Sequence, residues 1–289
     1  PRPWDLSGLM KMRVKGDISV KDLAWRKLHY TNFTAQVALD GGKFNIPAHA
    51  GFYGGQNQTD LSGTLEAGRI NSQFKLDFKG AQLASITRAL YDDERASGPL
   101  NISLLANGSP TRSSELLTAF SGNWAFDVGA GYFRGKRDAV TGKEPSKTKF
   151  SAIRASGLLR SGRLESDNFT LSAPGSTDTV GHGYVDLDKN AIEMDLLVRM
   201  LGIDVPVRLY GSLDAPQTSV KSGQLIGNAV GGIGSGLFGL VVDVITLPGK
   251  VITLPFSNTD SKPEPTPAPK ESGSGTGSGS SGSGAFKRH

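Results

Sequence analysis

Polar and apolar residues alternate one by one along much of residues 28–78, and that period of two constrains this chain more than any other feature. Phe33, Ala35, Val37 and Leu39 alternate with Thr34, Gln36 and Asp40. Further on, Ile70, Phe74, Leu76 and Phe78 share one parity while Asn71, Gln73, Lys75, Asp77 and Lys79 take the other. Successive side chains point to opposite faces in an extended strand, so each run predicts a strand with one dry and one wet face. Between the runs, Asp40-Gly41-Gly42 and Gly54-Gly55 tolerate positive φ and let the chain reverse, laying each strand antiparallel to the last.

The pattern continues on both sides of this stretch. Met10, Met12 and Val14 alternate with Lys11, Arg13 and Lys15, which predicts a first strand with one basic face, followed by a short apolar run over residues 17–25. Leu100, Ile102 and Leu104 form another strand, and Trp124, Phe126 and Val128 open the next. Residues 150–159, 163–171, 180–187 and 192–200 read as strands, the last setting Ile192, Met194, Leu196, Val198 and Met200 against Glu193, Asp195 and Arg199. Val205, Val207 and Leu209 make one more, closed by Asp214-Ala215-Pro216. Two stretches have a helical period instead: Leu83, Ile86 and Leu90 within residues 82–91, and Leu116, Leu117 and Phe120 within residues 113–120, behind a capping Ser113. Residues 39–44 align with 159–164, and the same offset matches Gly63 to Gly183, Phe74 to Met194 and Leu76 to Leu196. This weak internal repeat pairs the regions around 28–80 and 148–200.

A chain of 289 residues has ample length for a core, and 38 glycines fit a turn-rich, low-helix fold. There is no cysteine, which removes disulfides, thiolate zinc sites and a cysteine nucleophile. The opening Pro1 and the lack of a leader are expected of a fragment or processed form. The formal net charge of +5 concentrates in one loop, where Arg134, Lys136, Arg137, Lys143, Lys147 and Lys149 face only Asp138 and Glu144. Such a loop can meet anionic headgroups, at about 1 kcal/mol per basic residue near a charged membrane, or serve as a solvated hairpin tip. Nucleic acid is not the expected partner.

Residues 225–242 carry no charge but six glycines, at 227, 231, 232, 234, 236 and 239. Two readings stay open for this apolar segment of residues 218–256: a glycine-rich pair of helices docked on the sheet end, or a membrane-contacting helical segment using small-xxx-small spacing. From residue 257 to 289, Pro, Lys and Glu followed by Gly/Ser repeats describe a disordered tail.

Residues that carry chemistry are scattered. His29, His49, His182 and His289 lack metal-ligand spacing, and Gly131 with Gly135-Lys136 falls one residue short of a phosphate loop, with Arg137 where Ser or Thr would hold magnesium. Asp92, Asp93 and Glu94 are consecutive rather than a spaced acid/base pair. No catalytic residue, metal or cofactor is expected, and the chain does not read as an enzyme.

One order of blocks resembles the C-terminal domain of the AsmA family of envelope proteins. It runs from the Gly41-Gly42-Lys43 turn through Ala50-Gly51-Phe52-Tyr53-Gly54-Gly55 to Leu61-Ser62-Gly63, with Phe52 where the family usually has Leu. Ser121-Gly122-Asn123-Trp124, the glycines from 129 to 135, Gly181-His182-Gly183-Tyr184-Val185-Asp186-Leu187 and Val207-Arg208-Leu209-Tyr210-Gly211-Ser212-Leu213-Asp214-Ala215-Pro216 follow in the same order. The similarity covers roughly residues 10–216. It implies an inner-membrane-anchored, periplasm-facing protein acting in phospholipid transport to, and assembly of, the outer membrane. The expected fold is mainly β: a curved antiparallel sheet of about a dozen strands over residues 1–217, with an apolar groove and two short helices. Phe33, Val37, Leu39, Phe74, Leu76, Phe78, Met194, Leu196 and Val198 are the expected lining of that groove, and phospholipid or another acyl lipid, a membrane surface and envelope assembly proteins are the expected partners. The competing expectation is a closed β-sandwich that serves as a protein-binding scaffold in outer-membrane assembly.

Overall fold

The computed structural model describes residues 3–134, 147–174, 178–200 and 203–220. The expected glycine-rich segment and disordered tail fall outside the described residues, apart from the first few positions. Within them the chain is a meander. Strands β1 (Arg13–Trp25), β2 (Leu28–Asp40), β3 (Lys43–Phe52), β4 (Gly55–Glu66), β5 (Arg69–Gln82), β6 (Pro99–Gly108) and β7 (Phe120–Val128) pair consecutively and antiparallel. A small hairpin, β8 (Gly131–Arg134) and β9 (Lys147–Phe150), then leaves the sheet, and β10 (Ala152–Arg160) returns to pair with β7. Strands β11 (Arg163–Ser172), β12 (Thr179–Asp186), β13 (Ala191–Met200), β14 (Ile203–Ser212) and β15 (Pro216–Val220) complete one open sheet of 13 strands.

The turns explain why neighbours in sequence become neighbours in space. Gly41 and Gly42, Tyr53 and Gly54, and Ser161 and Gly162 all take positive φ, the requirement of a two-residue turn whose twist matches the strands it joins. The turns at 41–42 and 161–162, related by the internal repeat, therefore share one conformation. Beyond them the copies diverge: Phe44 pairs with Gly63, whereas Leu164 pairs with Val185 and not with Gly183.

Register shifts interrupt the ladder at Asn32 in β2, Lys79–Gly80 in β5 and Asp167–Asn168 in β11. Such bulges leave backbone donors without a strand partner, and asparagine side chains accept from two of them: Gly80 N–H donates to Asn101 Oδ1 at 2.9 Å, and Ser156 N–H to Asn168 Oδ1 at 2.8 Å.

One face carries the core. A single cluster of buried residues runs from Leu28, Phe52 and Phe78 through Leu100, Trp124, Ile153 and Phe169 to Ile192, Leu209 and Leu213. The opposite face is mostly polar, with Leu105, Leu158, Val180 and Leu197 exposed on it, and is cross-linked between strands. Arg163 Nε donates to Asp186 Oδ2 at 2.9 Å with its guanidinium 4.6 Å from the Tyr184 ring centroid, Tyr184 Oη donates to Glu193 at 2.8 Å, and Arg208 pairs with the same carboxylate.

Four expectations need correction. Only one α-helix forms among the described residues, α1 (Leu83–Tyr91), with Leu83 and Ile86 buried. Residues 113–120 hold instead a single 3-10 turn, Ser113–Glu115. There the Glu115 carboxylate accepts from Thr111 N–H and Oγ1, both at 2.8 Å, and from Arg112 Nε at 2.6 Å, while Phe120 already pairs with Gly108 in the sheet. Those donors, the Thr111 amide foremost, hold the Glu115 carboxyl at about 2. Finally, Leu9–Lys11 is a 3-10 turn rather than strand, the two N-terminal runs merge into the single strand β1, and β15 follows the turn that was expected to end the sheet.

The Tyr53-Gly54-Gly55 block has a structural task. Tyr53 Oη donates to the Lys27 carbonyl at 3.1 Å and accepts from His29 N–H at 3.2 Å, and Tyr53 O accepts from Gln82 N–H at 2.9 Å, at the start of α1. A Cβ on Gly55 would lie 2.4 Å from Ala81 N and from Lys79 O, backbone atoms of the β5 bulge that cannot turn aside. Gly55→Ala is therefore expected to cost about 1–3 kcal/mol in urea unfolding, whereas Gly16→Ala, whose added methyl meets nothing within 4 Å, changes stability by about 0.5 kcal/mol or less.

Candidate functional site

The apolar face is assembled strand by strand. In β2 the burial alternation shifts at Asn32, which takes φ of 48°. Leu28 and Tyr30 before it and Phe33, Ala35, Val37 and Leu39 after it thus occupy the less exposed positions of one row. In β5, Phe74, Leu76 and Phe78 face Leu61, Thr59 and Asn57 of β4 on one side and Ala106, Leu104 and Ile102 of β6 on the other. In β13, Met194, Leu196 and Val198 lie between Gly183, Gly181 and Thr179 of β12 and Leu209, Val207 and Val205 of β14. The register places all the expected lining residues on the same face.

Their surroundings differ along it. Phe78, Met194, Leu196 and Val198 are only 4–5 % exposed and belong to the core cluster; Phe74 and Leu76 are half-buried against it. Phe33, Val37 and Leu39 are half-buried and lie outside the cluster. At the edge, Val14, Ile18 and Trp25 of β1 are 39 %, 46 % and 52 % exposed. The face is thus sealed toward β13 and open toward β1. Among its C-terminal strands, a cavity of about 30 Å³ lies between Trp124, Phe126, Phe169 and Met194, the volume of one water in the liquid. A cleft of about 350 Å³ across β1–β3 lies on the opposite, polar face, where Asp17, Ser19, Thr34, Gln36, Pro47 and His49 line it.

Aromatic rings mark the passage from open to sealed. Tyr30 lies 5.0 Å from Phe52 between ring centroids, and Phe52 lies 4.6 Å from Phe78. Burial among these groups pushes the Tyr30 phenol up to about 12, with the neighbouring Tyr53 adding to it. Neither Tyr30 nor the apolar row of β1 is among the lining residues expected from sequence. Both are legible in principle, Tyr30 as the continuation of the Leu28 row and Val14, Ile18 and Val20 by their alternation.

Of the expected basic loop, Lys136, Arg137 and Lys143 lie outside the described residues. Arg134, Lys147 and Lys149 stand at the root of the β8–β9 hairpin, where Arg134 pairs with Lys147 and Tyr132 with Lys149 in register. The root is docked on the segment after α1: Arg134 N–H donates to Arg95 O at 2.8 Å, and Ser97 N–H to Tyr132 O at 2.9 Å. Phe133 and Phe150 stack at 4.6 Å beneath it. Lys147 Nζ sits 4.3 Å from the Tyr132 ring centroid, and Tyr132 Oη donates to Glu94, which with Arg88 holds that carboxyl below the usual range. Lys149 is exposed.

His29, His49 and His182 are exposed, and among the described residues no cluster of His, Asp and Glu could hold a metal ion. No helix among them is long and apolar enough to cross a membrane.

The Tyr30 shift has a definite sign. Its folded value lies above the ordinary phenol value of 10.0, so its contribution to stability is complete below pH 10 and is lost as pH rises toward 12. Ultraviolet difference titration is expected to show one late tyrosine near pH 12 that Tyr30→Phe removes, and the variant is expected to lose less stability between pH 10 and 12 than the parent.

No protein-family model, curated protein or solved structure matches the chain.

Proposed function

We propose that this chain is an AsmA-like module of the bacterial envelope that holds or conducts phospholipid acyl chains along the apolar face of its sheet. The observation that carries this reading is the gradient along that face, a packed core toward β13 that gives way to an uncovered apolar row on β1 and β2. A 13-stranded open sheet with three bulges is the kind that twists and bends rather than lying flat, which supports reading its open side as a trough. Acyl chains enter at β1–β5, against Phe33, Val37, Leu39, Phe74 and Leu76. The hairpin bearing Arg134, Lys147 and Lys149 faces an anionic membrane surface.

No chemical step is needed. Hiding a sixteen-carbon chain from water is worth on the order of 10 kcal/mol, and a lipid passing from bilayer to apolar trough forfeits almost none of it. The module then serves lipid transport to, and assembly of, the outer membrane from the periplasmic side, with its anchor in the inner membrane. The enclosure of Met194, Leu196 and Val198 favours a second reading, a scaffold that binds envelope assembly proteins, although the closed β-sandwich expected for that role does not form, since the 13 strands make one sheet that does not close.

Lipid extraction and native mass spectrometry of the purified chain separate the two. The first reading expects co-purified phospholipid, and expects Val37→Asp with Leu39→Asp to lower capture of a fluorescent fatty acid about tenfold or more while the melting curve holds. Leu196→Asp is expected to unfold the protein, at a cost no smaller than the ~2–5 kcal/mol of truncating a buried leucine. A lipid-free chain that excludes the fluorescent fatty acid would sink the trough and leave the scaffold.

A further inference from the structure

The two edges of the sheet are unlike. β15 begins with proline, a feature that discourages strand addition, and spans five described residues. β1 has thirteen residues and is the terminal strand, its far edge facing no other strand among the described residues. A natural edge is commonly protected by charge on its inner row, yet the inner row here is Val14, Gly16, Ile18 and Val20, continued by Met12, and Met12, Val14 and Ile18 are all exposed. The outer row reads Arg13, Lys15, Asp17, Ser19. Arg13 pairs with Asp40 of β2 at 2.8 Å, whereas Lys15 and Asp17 lie opposite Ala38 and Gln36 and form no ion pair among the described residues.

This strand is complementary to itself. A two-fold axis normal to the sheet through Gly16 pairs Lys15 with Asp17 of the copy and Asp17 with Lys15, so opposite charges meet twice. The same register sets Val14 against Ile18 and Met12 against Val20, again twice each, and keeps both apolar rows on one side. Gly16 meets Gly16 on the axis, where neither has a side chain to clash. Moving the axis to Ile18 would oppose Lys15 to Lys21, and moving it to Asp17 would oppose Asp17 to itself.

We infer that the chain forms a symmetric dimer by antiparallel pairing of β1 with β1 of a second copy, centred on Gly16. The pairing closes on itself, so it yields dimers and not fibres. It stands on the edge and its charges alone and is independent of the lipid reading.

The absence of native cysteine makes the test clean. In the full chain, Gly16→Cys is expected to form a disulfide-linked dimer under mild oxidation, and a Cβ there meets nothing within 4 Å. Ser219→Cys, on the opposite edge, is expected to form no such cross-link. By sedimentation equilibrium, Lys15→Glu and Asp17→Lys are each expected to raise the dimer dissociation constant about tenfold or more, since each sets like charges opposite one another twice. The doubly exchanged chain, Lys15→Glu with Asp17→Lys, is expected to return to within about threefold of the parent. A parent that stays monomeric at all accessible concentrations overturns the inference. So does a dimer whose affinity ignores both single exchanges, or a Gly16→Cys chain that cross-links no faster than the Ser219→Cys chain when the circular dichroism of both matches the parent.

Discussion

The whole sheet depends on parity. Because side chains alternate between faces, a slip of one residue in any ladder would send a strand's apolar row into solvent and its charges into the core. Thirteen strands in series give twelve such ladders in which to go wrong. The apolar rows nonetheless remain on one side from β2 to β14, even across the bulges, because each irregularity is fixed locally. Asn32 takes positive φ where the β2 row shifts, and Asn101 and Asn168 accept the backbone donors near the bulges of β5 and β11. The tight turns do the same work at the strand ends.

That dependence explains what can be read from the sequence. The rows of β5 and β13 are legible because their polar and apolar residues alternate, with exceptions such as Ser72 and Leu197, and the turn at 41–42 because its glycines are explicit. The second helix is misread because Leu116, Leu117 and Phe120 fit a helical spacing equally well. What decides that segment is tertiary: Phe120 is taken by the ladder with β6, and Glu115 is spent on Thr111 and Arg112. β1 reads as two pieces because Gly16 and the Lys21-Asp22 pair interrupt its apolar rhythm, although the backbone ladder to β2 runs through both. The residues expected to line a groove share one face, but their exposure is not legible. Nothing in the local pattern distinguishes the half-buried Val37, one strand from the β1 edge, from the buried Val198, two strands from the β15 edge, since both alternate alike.

The aromatic and glycine block at 52–55 illustrates how a conspicuous motif can be architectural. Phe52 joins Tyr30 to Phe78, Tyr53 ties the β1–β2 turn to the start of α1, and Gly55 makes room for the β5 bulge. These residues meet at the boundary between the open and sealed parts of the face. Their geometry sets the shape of the face at that boundary.

The strictly sequential order of strands bears on how such a molecule comes into being. Large β folds are usually slow to form because distant segments must find each other. Here each new strand meets a partner that has only just left the ribosome or a translocation pore, and the longest wait is the short detour through β8 and β9. The growing sheet therefore receives each new strand at its most recent edge, while the β1 edge stays as it was first laid, and can be built up like courses of brick.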